Sequence, residues 1–178
     1  PYDLNAMEFH PKFLKSDEHR GRHPLGRVPV LEDGDITIYE SGAIVQYLLA
    51  RYGKGRYMPD VNDPLFPECL QWIHYAEGSI MQQVNVLVVE TILLPPEKKN
   101  DINVARASKL LNVALKNVDN RLQDRDYLVG NFTAADIMTG HACYGAKRAG
   151  ADTSEMKNLN LYIDRLLERP ALKKASSL

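Results

Sequence analysis

The sequence predicts a small α/β unit followed by an all-helical unit, and three observations carry that reading. An Asp33-Gly34 pair joins two short apolar runs, 28–32 and 36–38, which is the strongest local signal for a β-hairpin. From Ser41 the apolar period lengthens to that of a helix, and beyond Pro64 no convincing strand follows. Runs of one element type followed by runs of another mark separate packing layers or separate domains.

Taken in order, residues 2–9 alternate loosely between flanking prolines and read as a strand. Residues 13–19 fit either a short helix or an irregular loop, because the polar run 15–20 does not decide between them. The hairpin runs follow, the first rich in β-branched residues. Ile44, Val45, Leu48, Leu49 and Tyr52 then share one helical face, and Gly53 and Gly55 end that helix. Residues 53–63 hold two glycines and one proline with few large apolar groups, and read as a linker. The expected domains are therefore 1–57 and 63–178. In the second, one long helix is expected from Pro64 to about Leu93, stopped by Pro95-Pro96. Further helices are expected from Asn100 or Asp101 to Gln123, over 133–148, and over 159–167 before Arg169-Pro170. Thr133 and Asp136 have capping-box spacing and are read as structural.

The bulk numbers exclude several classes of function. Of 178 residues, 44% are hydrophobic and 25% charged, as in an ordinary globular protein. With 22 basic and 23 acidic residues the net charge is -1, so nothing in the composition calls for nucleic acid as a partner. No apolar run approaches the roughly 20 residues that span a bilayer, and no membrane association is expected. Cys69 and Cys143 form no CxxC, and as two scattered thiols they are expected half-buried in helices in a reducing compartment. No metal-ligand set is assigned.

The stretch Gly26-Arg27-Val28-Pro29-Val30-Leu31-Glu32-Asp33-Gly34, followed by Tyr39-Glu40-Ser41-Gly42-Ala43-Ile44, resembles the glutathione-binding half of glutathione transferases. There a basic or amide residue, Val-Pro, a strand, a hairpin, a second strand and Glu-Ser-x-Ala-Ile opening a helix follow in this order. Asn131-Phe132-Thr133-Ala134-Ala135-Asp136 is similar to the capping segment of that family's buried C-terminal helix. The resemblance implies an α/β thioredoxin-like N-terminal domain, incomplete here, plus an all-α C-terminal helical bundle. It implies glutathione as substrate, a small electrophile or disulfide as its reaction partner, a homodimer, detoxification as the role, and a cytoplasmic location.

The residues themselves suit that ligand. Glutathione carries two carboxylates, an ammonium and a thiol on a short peptide. A helix mouth at Ser41 offers a hydroxyl, free N–H groups and a favourable dipole to the γ-glutamyl carboxylate. Glu40, next to it, suits the ammonium. In the resembled fold the Val28-Pro29 bond is cis and turns the Val28 main chain outward to pair with the cysteinyl part. Arg27 suits the glycyl carboxylate as a cation, and His23 is a weaker candidate for the same group. Each has a plainer reading: Ser41 an N-cap, Glu40 a solvated first-turn acid, Arg27 a surface cation, His23 a loop residue, Pro29 a trans proline at the start of an edge strand.

Three further expectations come from the resemblance to that family. Its first strand and helix precede the point where this sequence starts, so the Ser, Cys or Tyr that activates the sulfur is expected upstream of Pro1, on roughly 20–25 additional residues. The electrophile pocket is expected between the domains, with Trp72, Tyr75, Ile80, Met81 and Val84 as candidate linings, although such residues at helical spacing are more often core. Subunit pairing is expected across the helices beginning at Ser41 and Pro64. A non-catalytic glutathione-binding or protein-interaction module of the same fold is the alternative.

Overall fold

The computed structural model describes residues 2–8 and 10–176. The chain divides into two compact units, Pro1–Lys54 and Gly55–Leu178.

The first unit opens with two short helices, α1 (Pro11–Leu14) and α2 (Asp17–Arg22). Ser16 caps α2: its hydroxyl accepts the His19 N–H at 3.2 Å, and Asp17 and Glu18 complement the positive end of the helix. The stretch 13–19, which the sequence leaves open, is thus mostly helical. β1 (Val30–Asp33) and β2 (Ile36–Tyr39) pair antiparallel, with Val30 opposite Tyr39 and Asp33 opposite Ile36. Gly34 takes φ +61° in the connecting turn, a conformation that favours glycine. Then α3 (Ser41–Tyr52) begins two residues after the hairpin closes.

Helix α3 and the hairpin are tied by one carboxylate. Asp33 Oδ2 accepts the Tyr47 hydroxyl at 2.7 Å and the Tyr52 hydroxyl at 2.5 Å, with Arg51 Nε 3.7 Å away. These donors hold the Asp33 carboxyl below its ordinary value, the Tyr52 bond contributing most. Ile44, Val45, Leu48 and Leu49 are half-buried on the helix.

The strand expected over 2–9 is corrected. The described residues 2–8 form no regular element, and Pro1 and Phe9 lie outside the described residues. A strand exists only by pairing, and the sheet among the described residues has two strands, β1 and β2. Alternation alone could not supply a neighbour.

The second unit is helical. α4 (Phe66–Tyr75) runs through a π-helical turn (Ala76–Met81) into α5 (Gln82–Val88), then a second π turn (Val89–Leu93). The single long helix expected here is one helical path, but the hydrogen-bond step widens twice along it. The buried residues Trp72, Ala76, Ile80, Val84 and Leu87 still recur at three- and four-residue steps, so the apolar pattern carries no mark of the change. α6 (Asp101–Arg121) starts from Asn100, whose side chain accepts the N–H groups of Ile102 and Asn103. α7 (Ala134–Arg148), α8 (Lys157–Leu167) and α9 (Pro170–Ser176) complete the unit.

Its core is apolar: Ile73, Ile80, Leu111, Leu115, Val118, Leu159, Tyr162 and Ile163 are buried. Two acids organise it. Asp136 accepts the N–H groups of Leu128 (3.0 Å) and Thr133 (2.8 Å) and the hydroxyl of Tyr162 (3.0 Å). Asp119, on α6, accepts the N–H groups of Asn158 (2.9 Å) and Leu159 (3.0 Å) and so caps α8 from another helix. Among the described residues no helix is long and apolar enough to cross a membrane.

Candidate functional site

The hairpin register gathers the candidate residues. Because Val30 faces Tyr39 in an antiparallel pair, the residues before Val30 and those after Tyr39 emerge at the same end. Arg27, Val28 and Pro29 thus leave the hairpin beside Glu40 and Ser41. All of these residues belong to the first unit.

On the β2 side, Glu40 is the N-cap of α3 and sits at φ +73°, ψ 112°. A non-glycine residue in that region stores about 1–3 kcal/mol of strain, and such residues cluster at ligand sites. The Glu40 side chain is exposed and has no ion-pair partner among the described residues. Its carbonyl accepts the first bond of the helix, from the Ile44 N–H at 2.9 Å. Ser41 is half-buried at the first helical position, at the positive end of the α3 dipole.

On the β1 side, the Val28-Pro29 peptide bond is cis and Val28 is 49% exposed. Arg27 is exposed, with no ion-pair partner among the described residues. The loop that delivers them is held by side chains from the turn before α2, from α2 itself and from the residue that ends it. Lys15 Nζ donates to the carbonyls of Leu25 (2.7 Å) and Gly26 (3.3 Å). His19 Nε2 donates to the Arg27 carbonyl at 2.7 Å. His23 Nδ1 accepts the Leu25 N–H at 3.3 Å, and its carbonyl accepts the Gly26 N–H at 2.7 Å. Gly26 itself packs so closely on α1 that a Cβ there would fall 2.2 Å from the Leu14 carbonyl oxygen, and its φ is +58°.

His23 is therefore a different kind of residue from the one sequence suggests. It is 3% exposed, its ring lies 4.6 Å from that of Tyr39, and its Nδ1 is engaged, leaving only Nε2 for a ligand. Lys15 and His19 were not singled out by the sequence, since both lie in the polar run that decides no element. The one local sign was Ser16, three residues before His19, at N-cap spacing.

In the second unit Trp72, Ile80 and Val84 are core residues, while Tyr75 and Met81 are half-buried. Tyr75 is directed inward, donating its hydroxyl to the Ala114 carbonyl at 3.2 Å. Cys69 and Cys143 are fully buried rather than half-buried, and burial pushes both thiols above their ordinary pKa, which keeps them protonated and inert at neutral pH. Among the described residues no cluster of His, Cys, Asp and Glu could hold a metal ion.

The hairpin end thus joins an exposed acid, a helix mouth and an open main-chain segment, groups whose chemistry suits a small zwitterionic peptide. Comparison with known proteins gives that class its family. The description "Glutathione S-transferase, N-terminal domain" matches residues 1–50, and "Glutathione S-transferase, C-terminal domain" matches residues 83–170. Glutathione S-transferase 4 of Zea mays is 30% identical, the alignment covering 98% of this chain and 80% of that protein. The probable glutathione S-transferase GSTF2 of Oryza sativa subsp. japonica is 25% identical over 99% of this chain and 85% of its own. The solved structure of the glutathione transferase URE2P6 from Phanerochaete chrysosporium, in complex with oxidized glutathione, superposes with a TM-score of 0.88 at 25% identity, covering 99% of this chain and 84% of that chain. The chain belongs to the glutathione S-transferase family, with a thioredoxin-like first domain and a helical second domain.

Proposed function

We propose that this protein binds glutathione at the hairpin end and transfers or exchanges its thiol with a small electrophile or a disulfide. The observation that carries the reading is the register that brings Val28 and Ser41 to one end of the hairpin, within the compass of a single first unit. The γ-glutamyl carboxylate sits at the mouth of α3 against Ser41, where the dipole and N–H groups favour an anion. Its ammonium faces Glu40. The cysteinyl residue pairs with the main chain of Val28, beside Pro29. Arg27 takes the glycyl carboxylate, and His23 can reach it only through Nε2.

The chemistry asked of the protein is modest and specific. A free thiol titrates near about 8.5, so at neutral pH most of it is protonated. Holding the peptide at both ends fixes the sulfur for attack and removes the entropy of an encounter. Stabilising the thiolate then makes it the nucleophile toward the electrophile. No residue of this chain is assigned to that last task.

The domains of this reading are 1–57 and 63–178. Detoxification in the cytoplasm, as a homodimer paired through α3 and the helical path that begins at α4, belongs to the same proposal. Exposed apolar side chains on that path, Val89 at 41%, Ile92 at 68% and Leu93 at 62%, are surface that a second copy would cover.

Titration calorimetry with reduced glutathione, together with turnover of an aromatic halide, tests the reading. Binding that weakens at least about tenfold in both Glu40→Ala and Ser41→Ala, with unchanged far-ultraviolet circular dichroism, is the expected result. Loss of helix in either variant would make that residue structural, and wild-type affinity in both would move the ligand elsewhere. Binding without turnover would favour a non-catalytic module.

A further inference from the structure

We infer that His19 is a positioning residue for glutathione, acting through the peptide unit that joins Arg27 to Val28. The inference rests on the reading of the hairpin end as a glutathione site.

His19 is 3% exposed, yet among the described residues only one of its ring nitrogens has a partner. A carbonyl only accepts, so the Nε2 that lies 2.7 Å from the Arg27 oxygen carries the proton. The other nitrogen, Nδ1, is buried with no hydrogen-bond partner among the described residues. A buried polar nitrogen without a partner is a cost that an apolar side chain of similar size would not incur. The bond to Arg27 is what a histidine at this position supplies in return.

That bond acts on the site by geometry. The Arg27 carbonyl and the Val28 N–H belong to one planar peptide unit, and in a trans peptide the two groups point in opposite directions. Of the bonds flanking Val28 only the one to Pro29 is cis. Anchoring the Arg27 oxygen on a buried imidazole therefore turns the Val28 N–H away from α2 and toward the exposed side, where a peptide ligand can accept from it. Lys15 holds the two preceding carbonyls through an exposed, flexible ammonium. His19 holds the third, the one that shares its plane with the ligand-facing N–H, through a rigid ring.

Three variants test this. His19→Leu keeps most of the volume and removes the donor. His19→Asn places its amide nitrogen near Nδ1, too short to reach Arg27, whereas His19→Gln places one near Nε2. The dissociation constant for reduced glutathione should rise about tenfold in His19→Leu and His19→Asn and stay within about threefold of wild type in His19→Gln. KM for glutathione should follow it, while KM for the electrophile and kcat at saturating glutathione change by less than about twofold. Without ligand, the Val28 amide resonance in a nitrogen-15 correlation spectrum should move in the first two variants and not in the third.

Wild-type affinity in His19→Leu and His19→Asn, with Ser41→Ala still weak, would overturn the role of His19 and leave the site intact. Equal weakening in all three, with equally lowered melting temperatures, would make His19 a packing residue. If wild-type protein binds no glutathione, the site reading itself fails and the inference with it.

Discussion

Replacing Asp136 by alanine should destabilise the helical unit by about 3 kcal/mol without touching glutathione binding. Asp136 is 1% exposed, and both its oxygens are engaged. Oδ1 accepts the Leu128 N–H and the Tyr162 hydroxyl, each at 3.0 Å; Oδ2 accepts the Thr133 N–H at 2.8 Å and the Thr133 hydroxyl at 3.3 Å. Alanine leaves two main-chain donors and a phenol without acceptors where water has little access, at roughly 1–3 kcal/mol each. One effect opposes this. Burial pushes the Asp136 carboxyl above its ordinary value despite the four bonds that pull it down, so removing the charge relieves a desolvation penalty. The sum therefore falls near the low end of the range. For a chain of 178 residues, about 3 kcal/mol lowers the melting temperature by about 6–12 °C. Thermal melts followed by circular dichroism at 222 nm measure it, with glutathione titrated well below the transition. A loss under about 1 kcal/mol would refute the accounting. A fall in glutathione affinity while the fold is intact would refute the structural role, since all four donors lie in the second unit.

Asp119→Ala should cost about 2 kcal/mol in the same melts, because the Asn158 and Leu159 N–H groups at the start of α8 lose their acceptor; an unchanged melting temperature would mean water replaces the cap freely. The Asp33 carboxyl is held below its ordinary 3.8 by the hydroxyls of Tyr52 and Tyr47, with Arg51 assisting. Its contribution to stability is thus present above that value and lost as pH falls below it through the lower folded value. The melting-temperature difference between wild type and Asp33→Asn should be constant at neutral pH and close in acid; a difference that ignores pH would show that the two tyrosines do not depend on the charge. Arg27→Ala should raise KM for glutathione about tenfold while leaving kcat nearly unchanged, read from initial rates at varied glutathione, and an effect on kcat alone would exclude the carboxylate contact.

Short-range features were legible in the amino-acid order. The Asp33-Gly34 turn, the start of α3 at Ser41, the stop at Pro95-Pro96 and the pairing of Thr133 with Asp136 each depend on residues within a few positions of one another, so local sterics and hydrogen bonding settle them. Motif order also named Arg27, Val28, Pro29, Glu40 and Ser41, and once β1 and β2 pair, their register alone brings these to one end.

What the tertiary structure decided was everything that needs a distant partner. Alternation over residues 2–9 makes no strand among the described residues, because a ladder requires a neighbour. The widened turns at Ala76–Met81 and Val89–Leu93 leave the apolar pattern of the path unmarked. Asp119 caps a helix 39 residues away, and no spacing rule connects them. His19 looks like a member of a solvated polar run and His23 like a loop residue, yet both are buried beneath the loop they hold. Sequence fixes what the chain does with its near neighbours; burial and the pairing of polar groups across the fold are set by which surfaces meet, and that is a property of the whole unit.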